Sequence, residues 1–279
     1  MSVNVEKEPL NQSYSPDRVF YALGRMLSVQ DFNDEQTYHR GRLARALSYG
    51  LGSGTVAGLK VKYQKPPDEE IQVTAGMAID RLGRIIEVPR QACIRLDRWY
   101  QAQTHDDLAQ AFHSNVGGDA KVNGVMADVF IKFVPCDRGK TPAFASGPFD
   151  ATDATVPSRI RDGYQLDLVI RKEGAPGVPL SPWPDLAGEA DLVKRRSALH
   201  EAIFASWHEG TDARDENGNL KPLPEHVDGQ DTLSLFLARV VILATAGNPP
   251  VRTAADPAID NDKRSFLYGP LALARWIGI

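Results

Sequence analysis

Short stretches of strict apolar–polar alternation, one long helical pattern near the N-terminus and a second near residues 186–207 predict an α+β protein. It is expected to be mainly antiparallel β-sheet, or a small barrel or sandwich, with the two helices packed on or between the β layers. The third observation is that 23 Gly and 19 Pro cluster into loops, the usual punctuation of many short strands.

Residues 1–27 read as an N-terminal arm, 28–134 as a helix plus β-hairpin domain, 135–162 as a long surface loop and 163–279 as a second β-rich part, which can also be continuous with 28–134. Ser28-Val-Gln-Asp31 is a capping-box-like start, so a helix is expected from Val29 to about Leu47. Val29, Phe32, Leu43, Ala46 and Leu47 form one stripe, but Gln36 and His39 occupy its middle, which leaves this face open to a partner. The glycines of Tyr49 to Gly54 end the helix. Leu59, Val61 and Tyr63 alternate with Lys60 and Lys62 as a half-buried strand, and Ile71 to Thr74 repeats the pattern. Met77 to Ile79 and Arg84 to Val88 flank Asp80-Arg-Leu-Gly83, a hairpin expected to turn at Gly83. Ile94 and Leu96 suggest another short strand, Thr104 a cap for a short helix through Leu108 and Phe112, and Val125 to Val134 a sheet segment. Pro135 to Pro157 shows no period and reads as a surface excursion. Tyr164 to Ile170 is a further strand. Asp185 is placed to cap a helix reaching Trp207, with Leu192, Val193, Leu199, Ile203 and Trp207 on its apolar side; Thr211 to Gly229 is turn-rich, and Leu233 to Ala244 reads as a strand buried on both faces.

Composition excludes several classes. With 42% hydrophobic and 24% charged residues the chain is not intrinsically disordered, and 32 Lys plus Arg against 36 Asp plus Glu leave a net charge of -4, which argues against nucleic-acid binding through bulk charge. The apolar run Leu235 to Ala246 contains Arg239 and is well short of the roughly 20 residues of a membrane span. Met1 to Arg18 lacks the apolar core of a signal peptide, so cytoplasmic synthesis is expected. Cys93 and Cys136 are too few for a disulfide scaffold or a structural zinc site and are expected to be two buried free thiols, although pairing stays open.

The chemical motifs fail on their context. Gly52-Ser-Gly54 with Ala57 fits the dinucleotide fingerprint, yet it follows a helix and precedes a strand, the reverse of the required order. His200-Glu201 and His208-Glu209 are followed four residues after each histidine by Phe204 and Asp212, so neither completes a zinc-protease helix. Asp215 to Asn219 resembles the centre of a calcium loop, but the first and twelfth ligand positions fall on Ala213 and Pro224; an Asn-Gly turn needs fewer assumptions, and calcium stays open. No nucleophile elbow or Cys–His pairing occurs. No cofactor and no enzymatic activity are expected.

Four segments belong together. The first is Arg18 to Arg40, with Gly24-Arg-Met-Leu-Ser-Val-Gln-Asp-Phe32 and Glu35-Gln-Thr-Tyr-His-Arg40, followed by Val56-Ala-Gly-Leu-Lys-Val61. The second is Val73 to Pro89, with the hairpin Gly76-Met-Ala-Ile-Asp-Arg-Leu-Gly83; the third is Ser158 to Leu166; the fourth is Phe236 to Val240 with Asp262 to Arg264. In combination they resemble accessory structural proteins encoded with phage-tail-like contractile injection systems. The chain departs from that family's pattern at Leu51 to Gly54 and in its long loops. The resemblance implies a non-enzymatic component at or near a baseplate, or in an attached peripheral layer, present in several copies and held by other particle components, in a particle that is retained or released. A fibre-like or carbohydrate-recognising adaptor is the alternative, and a hydrolase whose triad is invisible in sequence is a third. Candidate interface residues are Gln36, Tyr38, His39 and Arg42 on the first helix and Phe266, Tyr268 and Trp276 near the C-terminus, with Asp80 and Gly83 as the structural turn.

Overall fold

The computed structural model describes residues 9–11, 17–65, 67–116, 122–142, 155–181, 183–206, 214–216 and 218–278. Ser28 caps α1 (Val29–Leu51): its hydroxyl accepts the Asp31 backbone N–H at 3.2 Å, and the Asp31 carboxylate accepts the Ser28 N–H at 2.7 Å. The helix continues past Leu47 to Leu51 and stops at Gly52, whose φ of 86° suits a residue without a Cβ.

Six short strands follow: β1 (Gly54–Gly58), β2 (Val61–Gln64), β3 (Glu70–Val73), β4 (Gly76–Ile79), β5 (Ile85–Val88) and β6 (Ala92–Arg95). They form two antiparallel three-stranded sheets, ordered β1-β4-β5 and β2-β3-β6. The strand expected over Leu59–Tyr63 starts only at Val61, because the chain crosses from one sheet to the other at Gly58 and Leu59. Gly58 has φ 62° and lies against the Ala75 carbonyl, and Leu59 itself takes φ 55° with its side chain fully buried. Leu96, expected in a strand, instead begins α2 (Leu96–Gln101). Thr104 caps α3 (His105–Gln110), accepting the Asp107 N–H at 3.1 Å, but the helix stops short of Phe112, which pairs with Val125 as the first residue of the next strand.

The large sheet contains β7 (Phe112–Val116), β8 (Val122–Pro142), β9 (Thr155–Ile170), β10 (Leu235–Thr245), β11 (Val251–Arg252) and β12 (Ala258–Asp260). β8 is its spine, paired with β10 on one edge and with β7 and β9 on the other; β10 carries β11 and β12. Every pairing between these named strands is antiparallel, an isolated parallel bridge joins Thr55 to Phe266, and among the described residues no sheet closes into a barrel, so the class is α+β with open sheets. Ala127, Val129, Ile131 and Phe133 of β8 share one core with Leu59, Val61, Ile71, Val73, Ile86 and Val88 of the small sheets. In β10, Leu237 and Ala238 both join that core although they are adjacent, because the register slips between Phe236 and Ala238; a bulge lets two consecutive side chains share a face.

Three expectations are corrected. Pro135 to Pro142 and Thr155 to Asp162, read as part of a surface excursion, continue β8 and β9 as a two-stranded ribbon, paired from Pro135–Asp162 to Pro142–Thr155; residues 143–154 lie outside the description. Pro and Gly conceal the strand period there, but Gly139 sits at φ 69° and the ladder passes it. The second helix, α4, spans Leu192–Ala205, not 186–207: Asp191 accepts the Val193 and Lys194 N–H groups, whereas Asp185 accepts only the Ala187 N–H of a turn. No α4 side chain is buried, so its apolar residues do not pack on a β layer; Trp207 lies outside the described residues. Finally, Cys93 is exposed and Cys136 half-buried, and both thiols are free, since each sits on a strand position facing away from the core. α5 (Pro270–Ile277) ends the described chain.

Candidate docking surfaces

α1 touches the body through a narrow strip. Ala44 is its one buried residue, the Gly41 backbone meets Leu10 of a 3-10 turn, and the Ser48 hydroxyl donates to the Arg81 carbonyl at 3.5 Å. Beneath it sits the predicted hairpin turn. Asp80 is fully buried; its Oδ1 accepts the Leu82 and Arg84 N–H groups, each at 2.9 Å, and its Oδ2 accepts the Arg84 Nε at 2.6 Å. Burial pushes the Asp80 carboxyl up, against the pull of the Arg84 guanidinium beside it. Arg84 also lies 4.5 Å from the centre of the Phe133 ring. Gly83, at φ 83°, presses on the Ala44 carbonyl so closely that any side chain would collide with the helix. The Asp80–Gly83 turn is thus both a hairpin reversal and the seat of α1.

The expected interface residues fall in two separate places. Gln36 and His39 are exposed on the solvent side of α1. Tyr38 and Arg42 lie on its flank, the Tyr38 ring edge-on to His39 at 5.4 Å and the Arg42 guanidinium 6.0 Å from the Tyr38 ring. The N-terminal approach to α1 adds to this side: Tyr21 donates to Glu35, Arg25 pairs with Asp31 at 2.6 Å, and Phe20, Leu23 and Met26 are exposed. Nothing in local periodicity marks those three residues as solvent-facing.

Phe266, Tyr268 and Trp276 sit beyond the other end of α1. Leu267 donates to the Thr55 carbonyl and Thr55 to the Ser265 carbonyl, both at 2.9 Å, which places this segment against β1. Asn261 anchors it, its side-chain oxygen accepting the Val61 N–H at 2.9 Å and its amide donating to the Val61 carbonyl at 3.1 Å. Buried Arg264 donates to the Leu59 carbonyl at 2.7 Å; burial pushes its guanidinium down to about 10, still charged at neutral pH. Phe266 lies 5.7 Å from that guanidinium and is partly held, while Tyr268 and Trp276 stack on each other at 6.2 Å and are exposed by 59% and 79%.

A buried ionic cluster went unrecognised in the sequence. On the face of β8 opposite the main core, Asp128 is fully buried between two arginines: Arg239 binds it through Nε at 2.8 Å and Nη2 at 2.9 Å, and Arg171 through Nη1 at 3.0 Å. Arg239 also donates to the Pro176 and Gly177 carbonyls, and Arg171 to the Glu225 carbonyl. Residues 221–232 form a strap over this face, fixed by His226, whose Nδ1 accepts the Leu223 N–H while Nε2 meets the Ser234 carbonyl, each at 2.9 Å. With every Asp128 oxygen taken by a guanidinium, the cluster is a tie between layers, not a reactive centre. The available signals were two charges inside apolar strand segments, Asp128 within Val125 to Val134 and Arg239 within Leu233 to Ala244.

Asp215, the calcium candidate, accepts the Asn219 N–H on its Oδ1 at 2.8 Å, and Gly218 takes φ 80°; Ala213 and Asn217, on which the calcium and Asn-Gly readings also depend, lie outside the described residues. Among the described residues no three His, Cys, Asp or Glu side chains are grouped so as to hold a metal ion, and no helix is long and apolar enough to cross a membrane. Comparison with protein-family models and with curated sequences finds no match to the chain, so a functional reading rests on these surfaces and on the sequence resemblance.

Proposed function

We propose that this chain is a non-enzymatic building block of a phage-tail-like contractile injection particle, at or near the baseplate or in a layer attached to it. The observation that carries the reading is that exposed apolar side chains occupy four separate elements. Leu23 and Met26 lie on the N-terminal approach, Phe32 and Leu43 on α1, Leu192 and Phe204 on α4, and Trp276 on α5. Monomeric proteins seldom carry several such surfaces, whereas a component wedged among neighbours needs one for each. The sequence resemblance supplies the kind of neighbour. One observation favours the adaptor alternative: the exposed Tyr268–Trp276 stack is a surface of the sort on which a sugar ring lies.

The experiment is a double Gln36→Ala, His39→Ala substitution in the source strain. Particles are purified and the chain is quantified against the sheath protein. The expected outcome is depleted incorporation with an unchanged melting temperature of the isolated variant, since both side chains are exposed. Normal incorporation rejects this face as the docking surface, and intact particles that never contain the chain reject the structural role. Trp276→Ala tests the adaptor: loss of surface attachment by particles that still carry the chain would favour that alternative over a building block.

A further inference from the structure

The solvent side of α1 has a seven-residue repeat. Lettering each heptad a to g with Val29 at a, the a positions are Val29, Gln36, Leu43 and Gly50 and the d positions are Phe32, His39 and Ala46; every one of them is exposed. The strip that meets the body, at Gly41, Ala44 and Ser48, lies roughly 150° around the helix at about 100° per residue. Leu43 also borders the cleft between α1 and the hairpin, yet more than half of it stays exposed, and the rest of the repeat has no role that the described residues account for.

We infer that α1 packs against α1 of a second copy of this chain, the two helices antiparallel about a two-fold axis passing between Thr37 and Tyr38. In that register Val29 faces the partner's Ala46, Phe32 faces the partner's Leu43 and Gln36 faces the partner's His39, each layer occurring twice by symmetry. The two polar residues that interrupt the stripe then fall opposite one another, and an amide that both donates and accepts satisfies an imidazole in either tautomer. At the flanking g positions Glu35 meets the partner's Arg42. Tyr21 donates to Oε2 of Glu35, and a guanidinium donating to the carboxylate would complete a charge-assisted pair. A parallel pair would instead stack His39 on His39 and leave facing alanines at position 46. Charge, volume and polarity are all complementary in the antiparallel register. This deepens the reading of α1 as a docking face by naming the partner, and it does not depend on the particle.

The test uses the full-length isolated chain, its mass followed by light scattering across a concentration series. A concentration-dependent dimer is expected. Phe32→Asp should weaken it by at least about 100-fold while changing the melting temperature little at dilutions where the parent is itself monomeric, because Phe32 is half exposed in the single chain. Glu35→Arg should weaken it about tenfold, and Arg42→Glu added to the same chain should restore it. Direction is read in a Cys93→Ser, Cys136→Ser background: a mixture of Val29→Cys and Ala46→Cys chains should form a disulfide-linked heterodimer, with neither chain linking to itself. A chain that is monomeric at all concentrations, a dimer indifferent to Phe32→Asp, self-linking of the Val29→Cys chain, or restoration by Arg40→Glu in place of Arg42→Glu would each overturn the inference. Intact particles lacking the chain would reject the particle role and leave the dimer measurement standing.

Discussion

Gly83 has two independent reasons to be glycine. Its φ of 83° strains any side chain, and the Ala44 carbonyl occupies the space where a Cβ would be. Relieving the collision means lifting α1 from its seat, so Gly83→Val combines backbone strain with lost packing and is expected to cost about 3 kcal/mol. For a chain of this size that lowers the melting temperature by several degrees, measurable by calorimetry; an unchanged midpoint would show that α1 does not bear on the turn. Asp128 makes the opposite kind of contribution. Replacing it with Ala leaves Arg171 and Arg239 facing each other in a buried site with no anion between them, and about 3–5 kcal/mol of destabilisation is expected in urea titrations. Replacing one arginine with Met should cost less, because the carboxylate keeps the other. The turn was legible from Gly83 and its flanking alternation. The ionic cluster was not, since Asp128, Arg171 and Arg239 meet only after three distant strands align.

Elements with a local signal were read more accurately than those held by distant partners. The start of α1 was legible because Ser28 and Asp31 are three residues apart and satisfy each other. The β8–β9 ribbon was not, because nothing inside Pro135 to Pro142 announces that Thr155 to Asp162 will pair with it. For α4, Asp185 and Asp191 are equally able to accept backbone N–H groups, and local sequence does not choose between them. The register of the α1 seam was present in the residues throughout, but a stripe interrupted by Gln36 and His39 gains meaning only once Ala44 is known to face the body. The cap itself has a pH signature. The Ser28 backbone N–H, then its hydroxyl, then the Arg25 charge, hold the Asp31 carboxyl below its usual range. A carboxylate depressed in the folded state contributes stability that is complete above its unfolded pKa and is lost as pH falls through the folded value. The first turn of α1 should therefore fray on acidification before the sheets respond. Relative to the intrinsic rate at each pH, protection of the residues 29–33 amides is expected to fall there in the parent, while in Asp31→Asn it is already low at neutral pH and changes little; equal pH dependence of protection in the two would remove Asp31 from the cap.

Across the whole molecule, stability is concentrated around β8 and β10. One face of that pair carries the main apolar core, the other the Asp128 cluster and its strap, so both strands are buried on both sides. α4, with no buried side chain, and the outer ribbon, whose described residues from Asp137 to Pro142 are exposed, lie outside this double layer. Local opening costs little where few contacts break, and hydrogen exchange should divide accordingly: β8 residues 125–131 and β10 residues 235–244 slowest, α4 and the ribbon orders of magnitude faster. Arg81 ties the hairpin turn to the strap, because its guanidinium donates to the Lys221 and Thr232 carbonyls at 2.7 and 3.0 Å. Arg81→Ala is expected to speed exchange throughout residues 221–232 while leaving β10 unchanged, whereas equal acceleration of both would mean that the strap and the central sheet open as one unit. Concentration adds a second axis to the same measurement. If two copies meet through α1, raising protein concentration must slow exchange along residues 29–46 and nowhere in α4, since a contact protects only the elements it covers; protection that spreads to α4 instead would locate the association on that helix and return α1 to solvent.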